Sequence, residues 1–331
     1  MIKFVIKRIL WMIPVLLGVI LIVFTINRLT PGDPIYAMYG SSITEEQYEQ
    51  HRTELGLDQP FIVQFINYVK GIVTEFDLGT SYQSRQSVGG EILTRFPTTL
   101  ALGLLGVLVT AAVGIPLGVI AATHQNSLFD YLVTVISMFF ASMPNFWLAM
   151  EMIIIFSLNL KLVPATGLAT PAAWILPVLS LGLSPVASVT RMTRSSMLEV
   201  IRADYIRTAR AKGLKEGVVI RKHALKNALI NVITVIGMQL SMIMAGSVII
   251  ETIFSINGIG LYMMSGINTQ DYPVIQGCVL IIAMAVCVMN LIVDLFYAFV
   301  DPRVMAQYTA GSKKKKKKND DSGPEASAQQ A

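Results

Sequence analysis

The chain has 331 residues, of which 53% are hydrophobic and 14% charged, with mean hydropathy +0.60 and formal net charge +5. A soluble domain carries about 25% charged residues. Here the apolar excess gathers in runs of about 18 or more, each long enough to cross ~30 Å of hydrocarbon as a helix, so a soluble globular chain is excluded. In lipid a helix satisfies every backbone N–H and C=O within its own segment, which predicts an all-α integral membrane protein.

In chain order, residues 1–27 are expected to form a cytoplasmic stub and a first transmembrane helix. Lys3, Lys7 and Arg8 precede an apolar run from Ile9 to Ile26. That run is too long for the core of a signal peptide and lacks a small-residue cleavage site, so it is expected to be retained. Residues 28–97 read as an extracytoplasmic segment, with turn signals at Pro31-Gly-Asp-Pro34 and Asp58-Gln-Pro60. A short polar helix is expected from Thr44 to Leu55, with Thr44 as its N-cap.

Residues 98–300 read as the transmembrane core. The second apolar run covers Thr98 to Ala122 and holds Gly114-Ile-Pro-Leu-Gly118, a spacing that allows close helix approach. The third runs from Tyr131 to Leu158. The fourth, from Trp174 to Thr190, is made irregular by Pro177 and Pro185. The fifth runs from Ile230 to Ile250 and the sixth from Val274 to Val300. Six transmembrane helices are therefore expected. Residues 301–331 form a polar tail with a lysine run, Lys313 to Lys318, expected to be cytoplasmic and disordered. The lysines either lie on anionic headgroups or reinforce topology from solution.

Basic residues mark the cytoplasmic side of a membrane protein. Residues 191–229 contain Arg191, Arg194, Arg202, Arg207, Arg210, Lys212, Lys215, Arg221, Lys222 and Lys226, opposed only by Glu199, Asp204 and Glu216. The tail adds Arg303. The connections at 159–173 and 251–273 hold one basic residue, Lys161. With six spans this places both termini in the cytoplasm, and an odd number would break the pattern.

The chemistry of the chain is mostly one of absences. No G-x-x-x-x-G-K-[ST] phosphate loop occurs, so ATP is not expected to bind here. There is no H-E-x-x-H, and His51, His124 and His223 fall in three separate loops, which argues against a metal site. No cofactor and no nucleic acid are expected. Cys278 and Cys287 read as small buried hydrophobes, nine residues apart on one helix. Polar groups inside spans are more informative, since they usually face a bundle interior or an aqueous path. Glu151 and Gln239 are the candidate substrate-pathway residues, with an interhelical contact as the plainer reading of Glu151. Asn290 and Asp294 share a face of the sixth run, and Asp294 is expected to pair with a base near the cytoplasmic end.

The sharpest signal is the loop at about 196–228. It reads as two amphipathic helices broken near Gly213 to Gly217, where glycine permits a tight reversal. Ten basic residues would satisfy a purely topogenic loop. They do not explain the helical spacing of Ile201, Tyr205, Ala209 and Leu214. A short helix standing out of the membrane in this way can seat on a soluble partner.

At this loop the sequence resembles the permease subunits of binding-protein-dependent ABC importers. Their pattern is E-A-A, three residues, G, then nine residues and I-x-L-P. Here Arg207-Thr208-Ala209 and Gly213 occupy the first half and His223, Leu225 and Lys226 the second, so the glutamate, isoleucine and proline are missing. The departures resemble the dipeptide/oligopeptide/nickel branch, including its B-type dipeptide permeases, which reads close to D-Y-I-R-T-A-R-A-K-G-L and H-A-L-x-N-A. This chain has Asp204 to Leu214 and His223 to Ala228 in that form. Pro31 to Pro34, Leu55 to Asp58 with Pro60, Asp77 to Ser81, Arg191 to Glu199, Glu251 to Ser255 with Gly258 and Gly260, and Asp271 to Pro273 resemble the same branch. The polylysine tail has no counterpart in it.

The resemblance implies a type I ABC importer permease fold in a bacterial plasma (inner) membrane. It implies a second homologous permease subunit, two ATPase subunits that bind ATP and Mg, and an extracytoplasmic substrate-binding protein. Dipeptides or oligopeptides are the implied substrates, with nickel chelates or other small solutes as the alternative. Asp204, Tyr205, Arg207, Thr208, Ala209, Arg210, Lys212, Gly213 and Leu214 would carry the ATPase coupling, and no residue is catalytic. Two rivals are weaker. An ion-gradient transporter predicts more intramembrane carboxylates and related halves. An intramembrane enzyme needs a nucleophile or metal cluster at membrane depth.

Overall fold

The computed structural model describes residues 2–40 and 42–300. The lysine run and the rest of the 301–331 tail lie outside the described residues. Among the described residues the regular structure is helical, apart from one isolated bridge between Thr80 and Ser87.

Helix α1 (Ile2–Leu29) leads into a cap made of three short helices, α2 (Pro34–Tyr39), α3 (Glu45–Glu54) and α4 (Phe61–Glu75). The turn signals act as expected. Asp33 caps α2 through Ile35 N at 2.8 Å, and Pro34 takes its first position, where a missing N–H costs nothing. Thr44 caps α3 in a reciprocal box with Gln47. Neither α2 nor the amphipathic α4 is expected from the sequence. Helix α4 starts at Pro60 and stops at Phe76, whose φ of 54° is left-handed. The cap is held together by the Tyr48 hydroxyl, which donates to Asp33 at 2.6 Å. That bond pushes the Tyr48 phenol up to about 12, so it stays a donor at physiological pH.

The bundle follows as α5 (Val88–Thr123), the pair α6 (Leu128–Ser142) and α7 (Asn145–Met152), α8 (Ile175–Ile201), α11 (Leu225–Ile253) and α13 (Tyr272–Val300). Between these, α9 (Asp204–Ala211) and α10 (Glu216–Val218) sit at one end, and α12 (Ile259–Asn268) at the other. Five helices are long and apolar enough to cross a membrane, and the α6–α7 pair makes a sixth span if it counts as one. Two boundaries differ from expectation. Helix α5 begins at Val88 because Ser87 caps it, and α8 runs on to Ile201.

The third apolar run is not one helix. It breaks into two pieces bent by 98°. A residue before proline is pushed out of the helical region, and Met143, which precedes Pro144, sits extended at ψ 128°. Pro144 also has no N–H to continue the ladder. Beyond α7 the chain continues as a π-helical segment, Ile153–Asn159. Asp130 at the start of α6 pairs with Arg194 near the α9 end of α8, whereas Gly167 N donates to Phe254 O at the far end of α11. Met152, at the end of α7, meets Ser180 near the start of α8, so the bent pair reaches from the α9 end of the bundle toward the other.

Helix α5 packs along α8 through small residues. A Cβ on Gly114 would lie 2.9 Å from Val189 Cβ, and one on Gly118 would lie 2.4 Å from Thr193 Cβ. Across the same seam, Thr110 Oγ1 donates to Gly182 O at 2.7 Å. In lipid, where apolar burial gives little drive for helix association, such close approach and interhelical hydrogen bonding hold helices together. The Gly114/Gly118 spacing thus does what its pattern implied. Elsewhere many large apolar side chains stay exposed, including Trp11 at 64% and Met242 at 70%, as expected where lipid or another subunit is the solvent.

Candidate functional site

Helix α9 is amphipathic over only two turns, and its seating is specific. Ile206 and Ala209, three apart on one face, are buried. They join Ala122 of α5, Met197 of α8, Val219 and Ala224 of the π-helical segment Val219–Ala224, and Ala228 of α11 in one apolar cluster. This corrects the expected apolar stripe. Ile201 belongs to α8, and Tyr205 and Leu214 are exposed, because the chain breaks at Arg202–Ala203 and restarts with a new helical phase. The opposite face presents Asp204, Tyr205, Arg207, Thr208, Arg210, Lys212 and Leu214 to solvent. Of the nine residues singled out in this loop, Ala209 alone is buried and acts in seating the helix.

The expected reversal occurs at Gly213, whose φ is +76°. Arg210 closes the turn with two hydrogen bonds to Glu216, at 3.1 and 2.7 Å. Both side chains are well exposed, so the pair contributes little by itself. A Cβ on Gly213 would meet nothing within 4 Å, so a substitution there acts through backbone strain alone. Gly213→Val should cost about 1–2 kcal/mol of loop order and lower uptake, while Gly213→Asn, which tolerates the left-handed region, should behave close to the parent. Equal uptake in the valine variant and the parent would show that the reversal is not needed.

Near this cluster lies an ion pair with a buried carboxylate, which no local pattern in the sequence announces. Asp130 is 3% exposed and accepts from Arg194 Nε and Nη2, both at 2.7 Å. Its second oxygen also accepts from Asn126 N at 3.0 Å, which holds the α5–α6 turn where Asn126 has φ +62°. Arg202 reaches the same turn through Gln125 at 3.3 Å. The base of α9 and the start of the bent pair are thereby joined. A lone acid four residues after Asn126 in a mixed stretch carries no signal of this partner, 64 residues away.

At the other end, motifs far apart in sequence meet. Asp271 is buried and accepts from Ser81 Oγ at 2.6 Å and from Gln83 N at 3.2 Å. Gln270 donates to Pro31 O at 3.1 Å. Glu251 is fully buried and accepts from Gly260 N at 2.6 Å and Leu261 N at 3.3 Å. A Cβ on Gly258 would fall 2.3 Å from its Oε2, so the glycines make room for this carboxylate. In the sequence Glu251 stands out only as the first residue of the Glu251 to Ser255 stretch. Its place at the end of an apolar run, followed by small residues, was the available signal.

The pathway candidates are not brought together. Glu151 lies half-buried on α7 and Gln239 half-buried on α11, with no hydrogen bond between them. The bend at Pro144 also means that Glu151 does not sit midway along a straight span. Asp294 pairs with Arg8 at 2.9 Å, as expected of a base near that end, and Asn290 accepts from Ser241 Oγ at 2.9 Å. Cys278 is buried and Cys287 partly so. Of the three histidines expected in loops, only His124 is in one, at the turn that ends α5; His51 lies within α3 and His223 in the π-helical segment. Among the described residues no cluster of His, Cys, Asp and Glu could hold a metal.

The profile of the "Binding-protein-dependent transport system inner membrane component" family matches residues 114–306, and that of its N-terminal region matches residues 1–103. The "Dipeptide transport system permease protein DppB" of Escherichia coli K12 is 40% identical over 92% of this chain and 99% of its own. The "Di/tripeptide transport system permease protein DppB" of Pseudomonas aeruginosa UCBPP-PA14 is 40% identical over 93% of this chain and 100% of its own. Among solved structures, an inward-facing MetNI methionine ABC transporter aligns with TM-score 0.55 at 20% identity, over 64% of this chain and 97% of that one, a likeness of fold. On these matches the chain belongs to the binding-protein-dependent transport system inner membrane component family and has the type I ABC importer permease fold.

Proposed function

We propose that this chain forms part of the membrane pathway of an ATP-driven importer of dipeptides and other short peptides. The observation that carries this reading is the seating of α9. A helix anchored by Ile206 and Ala209 to three membrane helices, with a polar, basic face outward, suits a rigid push from a soluble partner. The relatives that match nearly end to end are named as dipeptide and di/tripeptide permeases, which supports the substrate class.

In this reading two ATPase subunits dock on the 204–217 loops of the permease pair, one on each, and carry the ATP and Mg chemistry. A second permease subunit completes the pathway, and a binding protein delivers peptide to the cap end. The α9 end and both termini are then cytoplasmic, in a bacterial plasma membrane, and residues 28–97 extracytoplasmic. Closure of the ATPases moves α9. The shared apolar cluster and the Asp130–Arg194 pair pass that movement to α8 and the bent pair, so the pathway alternates its opening. Glu151 and Gln239 line that pathway.

The complex reconstituted in proteoliposomes should take up a labelled dipeptide only with ATP and binding protein present, and should be indifferent to proton ionophores. Uptake that survives without ATP and collapses with the ionophore would instead mark a gradient-driven transporter. In the same assay Glu151→Gln should lower uptake or alter peptide preference. Wild-type uptake and preference would remove Glu151 from the pathway.

A further inference from the structure

Between the end of α1, the α3–α4 link, α4 and the start of α13 lies a cleft of about 390 Å³. That is the size of a small-ligand pocket. Asn27 forms part of its wall. It is 6% exposed, and its Nδ2 has no hydrogen-bond partner among the described residues. The hydroxyl of Tyr68, in the same wall, is likewise buried and unpartnered. A buried polar group left without a partner is costly, which makes two such groups in the wall of one cleft informative.

Arg28 lines the cleft beside Asn27, is exposed, and makes no ion pair or hydrogen bond among the described residues. It also borders an adjoining cleft of about 250 Å³ lined by Arg52 and by Asp33, whose carboxylate already accepts from Ile35 N and the Tyr48 hydroxyl. The one acid in the larger cleft's lining, Glu54, already accepts from Gln50 at 3.0 Å and lies 3.0 Å from His51 Nδ1. What remains is one exposed guanidinium, with a carboxamide N–H and a phenol hydroxyl enclosed and unpartnered in the wall beside it. Around them, Phe24, Tyr82 and Tyr272 supply aromatic surface. Planar guanidinium and amide donors match a carboxylate, and aromatic walls accept an apolar side chain.

We propose that this cleft binds the C-terminal carboxylate end of a short peptide, held by Arg28 and Asn27 with its last side chain against the aromatic wall. This rests on the peptide-importer reading and adds to it a site on the permease itself. The cleft lies at the cap end, beside the Asp271–Ser81 joint, on the side from which the proposed importer receives solute.

The test uses the full importer complex in nanodiscs without its binding protein, and the probes are Ala-Phe and its C-terminal amide, read by saturation-transfer NMR titration. Ala-Phe should bind, with the amide weaker by about tenfold or more, since one charge-assisted contact is lost. Arg28→Gln and Asn27→Leu should each bring the free acid down toward the amide. Because Arg28 is exposed, its variant should fold even if the Asn27 variant does not. Equal binding of acid and amide, or free-acid binding unchanged by Arg28→Gln, would overturn the site. If the wild-type complex still imports Ala-Phe with its binding protein and ATP, only this inference falls. If it imports no dipeptide, the importer reading falls too.

Discussion

Asp130→Ala is expected to lower the stability of the folded chain by about 3 kcal/mol and to depress uptake more than ATP hydrolysis. Removing one partner of a buried pair leaves the other charge uncompensated, a loss of roughly 3–5 kcal/mol. The lower figure applies because the Arg194 side chain is 30% exposed and can recover some hydration. Asp130 also holds Asn126 N, so the α5–α6 turn loses its anchor as well. Uptake should suffer beyond stability because the pair links the bent α6–α7 segment to α8, whose Met197 packs in the cluster that seats α9. The measurements are thermal unfolding in detergent and the ratio of peptide imported to ATP hydrolysed. Asp130→Asn should fall between the alanine variant and the parent, and the exchange Asp130→Arg with Arg194→Asp should recover part of both readouts. A parent-like melting temperature and transport ratio in Asp130→Ala would exclude the link.

Gly118→Leu is expected to prevent normal packing of α5 on α8. Its Cβ would stand 2.4 Å from Thr193 Cβ and 2.7 Å from the carbonyl oxygen of Thr190. Real Cβ atoms do not come this close, and a carbonyl in a helix cannot move aside as a side-chain tip can. Overpacking costs about 1–3 kcal/mol or more, and here the two helices must separate along a seam that Thr110 and Thr190 also bridge by hydrogen bonds. The amount of monodisperse protein extracted from membranes should drop sharply. Gly114→Ala, with 2.9 Å to Val189 Cβ, should be milder. Gly18→Leu in α1, where a Cβ meets nothing within 4 Å, is the control. Equal yields from Gly118→Leu and Gly18→Leu would mean that the seam is looser than its geometry.

How much of the site was readable depended on the range of the interactions. The Thr44 cap, the turn at Pro31 to Pro34 and the left-handed Gly213 are each settled within a few residues, by sterics and by local hydrogen bonds, and each is legible. The face that seats α9 was not. Its apolar residues are too few for periodicity to set the phase, and the break at Arg202–Ala203 shifted the register from Tyr205 to Ile206. The break at Pro144 was readable in principle from Met143 and the missing N–H, but not its 98° angle, which depends on what the two halves pack against.

By itself the sequence determined an all-helical chain in a membrane, the segments that form its spans, and a basic loop with a glycine reversal. These follow from hydropathy, from backbone hydrogen bonding in lipid and from the stereochemistry of single residues. Only the tertiary structure decided that Asp130 meets Arg194, that Asp271 meets Ser81 across 190 residues, and that Asn27, Tyr68 and Arg28 share a cleft. Such pairings depend on which helices become neighbours, and that is settled by the summed packing of the whole bundle.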